Sequence, residues 1–326
     1  MKDSFLKNLL VNFKSAFSTN YRKRINDNSC RIASLEDTVA GLDDRVTKKY
    51  HYLNLLDYYA SHEKEATAFS KELDYLRQLG NYDNFPYPCE TQQKEVASGF
   101  DGEAKLPYVV HHGKKLFFPA DVSENDAVWY YMNYVQKEKL LGTDDELAPH
   151  QYQSPRIQVA EGDVVFDIGA AEGLFALDQI DKASRVIIVE SDSRWLVPLQ
   201  HTFAPYGDKV TLVQKFISSM DTESTMSLKE LLSTTDDSSV FVKMDIEGYE
   251  LPALSSAMDV LKEKKGIKIA ATTYHHQHDA EELKSLFDAM GYSTEFSNGY
   301  MLFHLYDTPA PPYFRKGVIR AKHTES

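Results

Sequence analysis

Three stretches of the sequence place residues at spacings that could do chemistry. "VVFDIGAAEGLFAL", Val164 to Leu177, sets the small-residue turn Gly169-Ala170-Ala171-Glu172-Gly173 between a strand-like run and a helix-like one. "VFVKMDIEGYE", Val240 to Glu250, alternates Lys243, Asp245 and Glu247, so that a strand would carry all three on one face. "TTYHHQH" ends another apolar run in the adjacent histidines His275 and His276. A glycine-punctuated turn after a buried strand holds a nucleotide-like cofactor. Carboxylates beside a lysine orient polar ligands, and a neutral histidine is a suitable general base near pH 7. The same acids and histidines could also gather a divalent ion, but they do not amount to a ligand set, and no metal is expected. Nor does the pattern decide between catalysis and an ion-paired cluster that only shapes the strand end.

The turn itself narrows the cofactor. A dinucleotide fingerprint needs GxGxxG, and position 171 is Ala; a P-loop needs GxxxxGK[ST], which is also missing. Glu172 would repel a diphosphate at the helix N-terminus, where such an anion normally lies. It suits a ligand with positive charge, such as the sulfonium and ammonium of S-adenosylmethionine. "VIIVESD" adds Glu190 at a strand tip, placed to hold two ribose hydroxyls, although NAD proteins use an acid at a similar spacing. Asp192 either faces the adenine or caps the next helix. The expected cofactor contacts are Asp167, Gly169, Ala170, Ala171, Glu172, Gly173, Glu190, Ser191, Asp192 and Asp245. The expected catalytic residues are Asp245, Glu247, His275 and His276.

These residues need a rigid frame. From Val164 onward strand-like and helix-like runs alternate: "VVFDIG", "RVIIVE", "KVTLVQ", "VFVKMDI" and "IKIAATTY" are nearly continuous apolar strands with helices between them. That is the pattern of a mostly parallel sheet covered on both faces. Asn298-Gly299 lies between two β-rich runs in "STEFSNGYMLFH" and predicts a closing antiparallel hairpin. Upstream, "LPYVVHHGKKLFFP" predicts a hairpin turning at His112-Gly113, with both histidines expected to be exposed, followed by a helix that Ser123 and Asp126 can cap. "NYDNFPYPCE" reads as a linker.

Ile32, Leu35, Val39, Leu42, Val46, Leu53 and Leu56 form a short coiled-coil seam, interrupted by Lys49. It either dimerises the chain or folds back on "KEATAFSKELDYLRQLG", where Ala66, Phe69, Leu73 and Leu76 share a face and Gly80 ends the helix. Residues 1–24 make a basic amphipathic segment that would lie on an anionic membrane surface or pack on protein.

"GDVVFDIGAAEGLFAL", "IIVESD", "VFVKMDIEGYE", the strand ending "TTYHH" and "LFDAMGYS" together resemble the FkbM family of S-adenosylmethionine-dependent methyltransferases, over roughly Leu147 to His304. "PHQY", Pro149 to Tyr152, is similar to a segment upstream of the first strand in some relatives. The first turn departs from many members in reading Ala-Ala-Glu. The resemblance implies a class I methyltransferase-like (Rossmann-like) α/β domain with an antiparallel last hairpin, preceded by an α-helical N-terminal region. The expected division is a helical region over 1–95, a hairpin and helix over 96–155, the methyltransferase domain over 156–305 and an irregular tail over 306–326. The resemblance further implies O-methylation of a sugar, glycan or small-molecule hydroxyl. The competing reading is a non-catalytic scaffold of this fold within a glycan-assembly complex.

Composition limits the partners. The chain has 326 residues, 36 Lys and Arg against 49 Asp and Glu, and a net charge of −13, which argues against a nucleic-acid footprint. "DIEGY" is not the [DN]PP[YF]-like tip of an amino-methylating nucleic-acid enzyme. The two cysteines, Cys30 and Cys89, form no motif, in keeping with a reducing compartment. A cytoplasmic protein is expected, peripheral at the inner membrane face if residues 1–24 bind lipid, and a homodimer if the seam pairs.

Overall fold

The computed structural model describes residues 44–88, 96–135, 148–235, 239–305 and 308–324. The basic segment 1–24, most of the seam (Ile32, Leu35, Val39 and Leu42) and both cysteines lie outside the described residues.

Twelve strands are described: β1 Ser98–Asp101, β2 Leu106–His111, β3 Lys114–Phe117, β4 Val164–Ile168, β5 Arg185–Val189, β6 Val210–Val213, β7 Phe216–Ser218, β8 Thr225–Ser227, β9 Val240–Met244, β10 Ile267–Thr272, β11 Tyr292–Phe296 and β12 Val318–His323. Seven of them form one sheet in the order β11-β12-β10-β9-β4-β5-β6. β10, β9, β4, β5 and β6 run parallel, and β12 is antiparallel to both of its neighbours. This is the class I methyltransferase arrangement. The chain leaves β4 toward β5 and β6, then returns to β9 and β10 on the other side. The switch point therefore falls between β4 and β9, where a ligand crevice forms beyond the strand ends.

Every residue of β4 and β9 is buried, because helices cover both faces. Phe166, Ile168, Val242 and Met244 face one layer with Leu254 and Phe287, while Val165, Val186 and Phe241 face the other with Leu177 and Leu199. Each such side chain contributes about 1.5–3 kcal/mol by leaving water. The crevice thus rests on the best-packed part of the molecule.

The closing hairpin forms, but not through Asn298-Gly299. β11 pairs with β12 from Tyr292↔His323 to Phe296↔Ile319, and residues 300–304 contribute only the bridge Met301↔Arg315. The segment expected to be an irregular tail therefore supplies the strand between β10 and β11. Its sequence "KGVIRAKH" is short and charged, yet Val318, Ile319 and Ala321 are fully buried. The sheet, not local hydrophobic pattern, selects it.

The N-terminal helices fold back as an intrachain hairpin. Tyr52, Leu55 and Tyr59 of the helix over residues 44–61 pack on Leu73 and Leu76 of the helix Ser70–Leu79, and on Leu302 and Phe314. Gly80 ends that helix in the left-handed region. The seam residues Val46 and Leu53 instead face solvent. "NFPYP" is not a free linker: Phe85 and Tyr87 are buried against Tyr274, Met301 and Phe303. The β2–β3 hairpin forms as expected, with His111 opposite Lys114 and His112-Gly113 in the positive-φ turn. Ser123 caps the helix Glu124–Tyr130 by accepting from the Asp126 amide.

Candidate functional site

Two loops meet at the switch point. Gly169 follows β4 at φ 70°, and a Cβ there would fall 1.8 Å from the Asp245 carbonyl oxygen. Only glycine lets the two strand tips close like this. Ala171 completes the bend at φ 47°, so the turn keeps its shape without the second glycine of a dinucleotide motif. The Glu190 carboxylate fixes the bend from the side, accepting from the Ala171 amide and from the Asp192 amide, each at 2.8 Å. Asp192 caps the helix Ser193–Phe203.

Lys243 and Asp167 form a buried pair between β9 and β4, Nζ to Oδ1 3.1 Å, and Lys243 also donates to the Gly169 carbonyl at 2.5 Å. Burial works against the charged lysine, but Asp167 and Asp245 outweigh it and raise its pKa. The acid that Lys243 neutralises is therefore Asp167, which also accepts from the Ala176 amide and is fully buried. Asp167 supports the loop and lines neither of the cavities described next.

Two cavities open here. One, of about 320 Å³, is lined by Val189, Glu190, Ser191, Asp192, Trp195 and Phe216, among others. The other, of about 390 Å³, is lined by His150, Tyr152, Glu172, Phe175, Asp178, Gln179, Lys243 and Tyr274, among others. Gly169, Ala171, Asp245 and Glu247 belong to both. The first cavity combines apolar walls with the Glu190 carboxylate, and the second is more polar, with aromatic side chains in its wall.

Asp245 stands at the junction. Its Oδ2 accepts from the Tyr152 hydroxyl at 2.8 Å and lies 3.3 Å from His150 Nε2. Burial alone would raise its pKa, but His150, His275 and Lys243 outweigh burial and hold the carboxyl far below the usual range. His150 Nε2 also lies 3.2 Å from both the Tyr152 and Tyr274 hydroxyls. Glu247 sits past the end of β9 at φ 58°, with its side chain largely exposed, so the strand alternation stops before reaching it.

His275 is 1% exposed and lines neither cavity. Three carboxylates surround its ring: Asp245 at 3.6 Å and Glu247 at 3.5 Å from Nε2, and Glu250 at 3.4 Å from Nδ1. Burial would lower its pKa, yet these acids raise it. The surrounding acids favour the protonated ring, and protonation would weaken it as a proton acceptor. Asp245, Glu250 and His275 are close enough to converge on a cation, as are His111, His112 and Asp178. His276 packs on the Gly248 turn, outside both cavities. Gly173 serves packing, since a Cβ there would meet Leu199 and Phe203. His111 is buried, not exposed: its Nε2 donates to Asp178 at 2.8 Å, and its Nδ1 lies 2.6 Å from the Tyr131 hydroxyl.

The structure therefore brings together Gly169, Ala170, Ala171, Glu172, Glu190, Ser191, Asp192, Asp245 and Glu247 of the expected set. It adds His150, Tyr152, Asp178, Gln179 and Tyr274. "PHQY" was the available signal for the first two of these. Nothing in the sequence brings Asp178 and Gln179, at the end of the helix Leu174–Gln179, to the same cavity.

Fold and crevice define a class I methyltransferase-like domain. The family model for the methyltransferase FkbM domain matches residues 149–294. No curated protein matches the chain. Solved structures similar to it include precorrin-6y C5,15-methyltransferase from Geobacter metallireducens GS-15, at 14% identity and TM-score 0.36, covering 52% of this chain and 84% of that one. Trm5b from Pyrococcus abyssi is similar at 13% identity and TM-score 0.36, covering 70% of this chain and 62% of that one. SMU.1697c from Streptococcus mutans, solved in complex with SAH, is similar at 10% identity and TM-score 0.33, covering 51% and 92%. These likenesses are remote. Among the described residues no helix is long and apolar enough to cross a membrane.

Proposed function

We propose that the chain is an S-adenosylmethionine-dependent O-methyltransferase whose acceptor is a hydroxyl of a sugar, glycan or small molecule. The observation that carries this reading is the shared boundary of the two cavities. A nucleoside in one and an acceptor in the other would meet at Gly169, Ala171, Asp245 and Glu247.

The residues present fit the cofactor. Glu190 would hold the ribose hydroxyls, Trp195 and Phe216 the adenine, and the Gly169–Glu172 turn the amino-acid end. When bound, the cofactor supplies a methyl group on a cationic sulfur. A diphosphate would instead meet Glu172, Glu190 and Asp192. On the acceptor side, His150 Nε2 takes the hydroxyl proton. Asp245 stays ionised and stabilises the resulting imidazolium. Tyr130, Tyr152, Phe175 and Tyr274 form aromatic walls that limit water at the reacting oxygen.

The test is methyl-labelled S-adenosylmethionine supplied to the protein with extracts of cells lacking the gene, followed by mass identification of the labelled product. Label on oxygen is the expected result. Label on nitrogen or carbon would overturn O-methylation. Cofactor binding by calorimetry without transfer to any extract would favour the scaffold reading.

A further inference from the structure

The helix over residues 44–61 carries two apolar faces. Tyr52, Leu55 and Tyr59 close on Leu73 and Leu76 of the same chain. Val46, Tyr50 and Leu53 point the other way and are 66%, 60% and 53% exposed. Spaced by four and then three residues, they form one row along the helix. Large apolar side chains grouped on an exposed face mark a contact surface.

The sequence carries this row upstream. Ile32, Val39, Val46 and Leu53 recur every seventh residue, and Leu35, Leu42 and Lys49 follow the first three of them by three. Residues 1–43, outside the described ones, lead directly into the exposed row. Valine or isoleucine at the first of these positions with leucine at the second favours two parallel strands. Charge agrees: a parallel pair sets Arg31 of one copy against Glu36 of the other, twice by symmetry. An antiparallel pair would gather Arg31 and Arg45 on one flank and Glu36 and Asp43 on the other, like against like. Lys49 breaks the apolar series, but its ammonium is drawn off the row. It donates to the Gly80 carbonyl at 2.8 Å and lies 4.7 Å from the centre of the Tyr52 ring. Beyond it Leu56 packs into its own chain, so the row ends at Leu53. Gly41 falls on the outer side, where it costs about 1 kcal/mol of helix propensity without touching the row.

We infer that this face docks a second copy of the chain, the rows from Ile32 to Leu53 pairing as a short, parallel, two-stranded coiled coil. The hairpin with the helix Ser70–Leu79 stays intact, because it uses the opposite face. The pairing is independent of the reaction proposed above.

The test is sedimentation equilibrium of the whole protein across the micromolar range. The expected species has twice the mass of the chain. Val46→Glu combined with Leu53→Glu charges the row and leaves the hairpin face alone, so it should give a monomer that still unfolds cooperatively. Arg31→Glu should raise the dissociation constant about tenfold, and adding Glu36→Arg should restore it. A wild-type monomer, its row covered by residues 1–31 or by a different protein, would overturn the inference. So would a trimer, or a dimer that survives both glutamates. A dimer indifferent to Arg31→Glu, or not restored by the double variant, would overturn the parallel pairing.

Discussion

The Tyr152 hydroxyl donates to Asp245 Oδ2 at 2.8 Å across 93 residues of chain. This contact ties the loop ahead of the first sheet strand to the tip of β9, and it brings His150 with it. The cavity beside His150 and Tyr152 is thus closed by a segment that precedes the sheet, while the cavity beside Glu190 is lined by residues that follow β4, β5 and β9.

If His150 takes the acceptor proton, His150→Ala should lower kcat by about 10²–10⁴ with little change in melting temperature. Tyr152→Phe removes one hydrogen bond to an ion and should lower kcat by about tenfold. Steady-state rates and thermal melts of the same preparations check both. A His150→Ala enzyme that turns over at the wild-type rate would move the base elsewhere.

His275 should behave in the opposite way. Its ring balances Asp245, Glu247 and Glu250 while buried, so His275→Ala leaves carboxylates uncompensated and should cost about 3–5 kcal/mol of stability. The raised pKa gives the sign of the pH effect. The contribution is full below the unfolded value of 6.5 and fades as pH rises through the folded one. Urea titrations at pH 6 and pH 9 should therefore show the variant's deficit shrinking at the higher pH. A deficit independent of pH would mean that the ring is neutral in the native state.

The parts of the site legible in the sequence are those that follow directly from a strand end. Gly169, Glu190 and Asp245 were found because a strand of known period delivers its next residues to the rim. His275 also follows a strand end, but the sequence could not show that three acids would close over it. His150 was marked only by "PHQY", and its meeting with Asp178 and Gln179, which follow the Gly169–Gly173 turn, depends on packing between distant segments that no local spacing reveals. The same reason hides β12: Asn298-Gly299 was the stronger local hairpin signal, but the gap between β10 and β11 is filled from beyond it by Val318–His323. In the N-terminal helix the spacing of Val46 and Leu53 is legible, but the Tyr52, Leu55 and Tyr59 face that packs inside the chain is not part of that pattern.

Glu190 holds the loop through the Ala171 and Asp192 amides, and in the proposed function it also meets the ribose. Glu190→Gln keeps the size but removes the charge and one acceptor oxygen. Calorimetry should show S-adenosylmethionine binding weakened by ten- to a hundredfold, about 1.4–2.8 kcal/mol. Wild-type affinity in this variant would remove Glu190 from the cofactor site.

Gly169→Ala should be worse for a different reason. The new Cβ would meet the Asp245 carbonyl, and alanine is also disfavoured at φ 70°. The strand tips must part, which opens the boundary between the two cavities. Cofactor binding should be lost at any accessible concentration, with about 1–3 kcal/mol of stability lost to backbone strain alone. Retained binding would show that the tips can shift without consequence.

Asp279 gives a second pH prediction, away from both cavities. Its carboxylate accepts from the His276 amide at 2.7 Å at the start of the helix Asp279–Ala289. Burial pushes its pKa up to about 6 from 3.8, with the charge of Glu250 adding to the rise and the His276 amide, His276 and His275 opposing it. The folded chain therefore holds a proton that the unfolded chain has released. Between about pH 4 and pH 6 this group's stabilising contribution falls as pH rises. Asp279→Asn keeps an acceptor for the amide and cannot titrate. Urea unfolding at intervals from pH 4 to pH 7 should show wild-type stability losing ground to the variant across that window and running parallel to it above. Parallel curves throughout would mean that Asp279 titrates at its ordinary value.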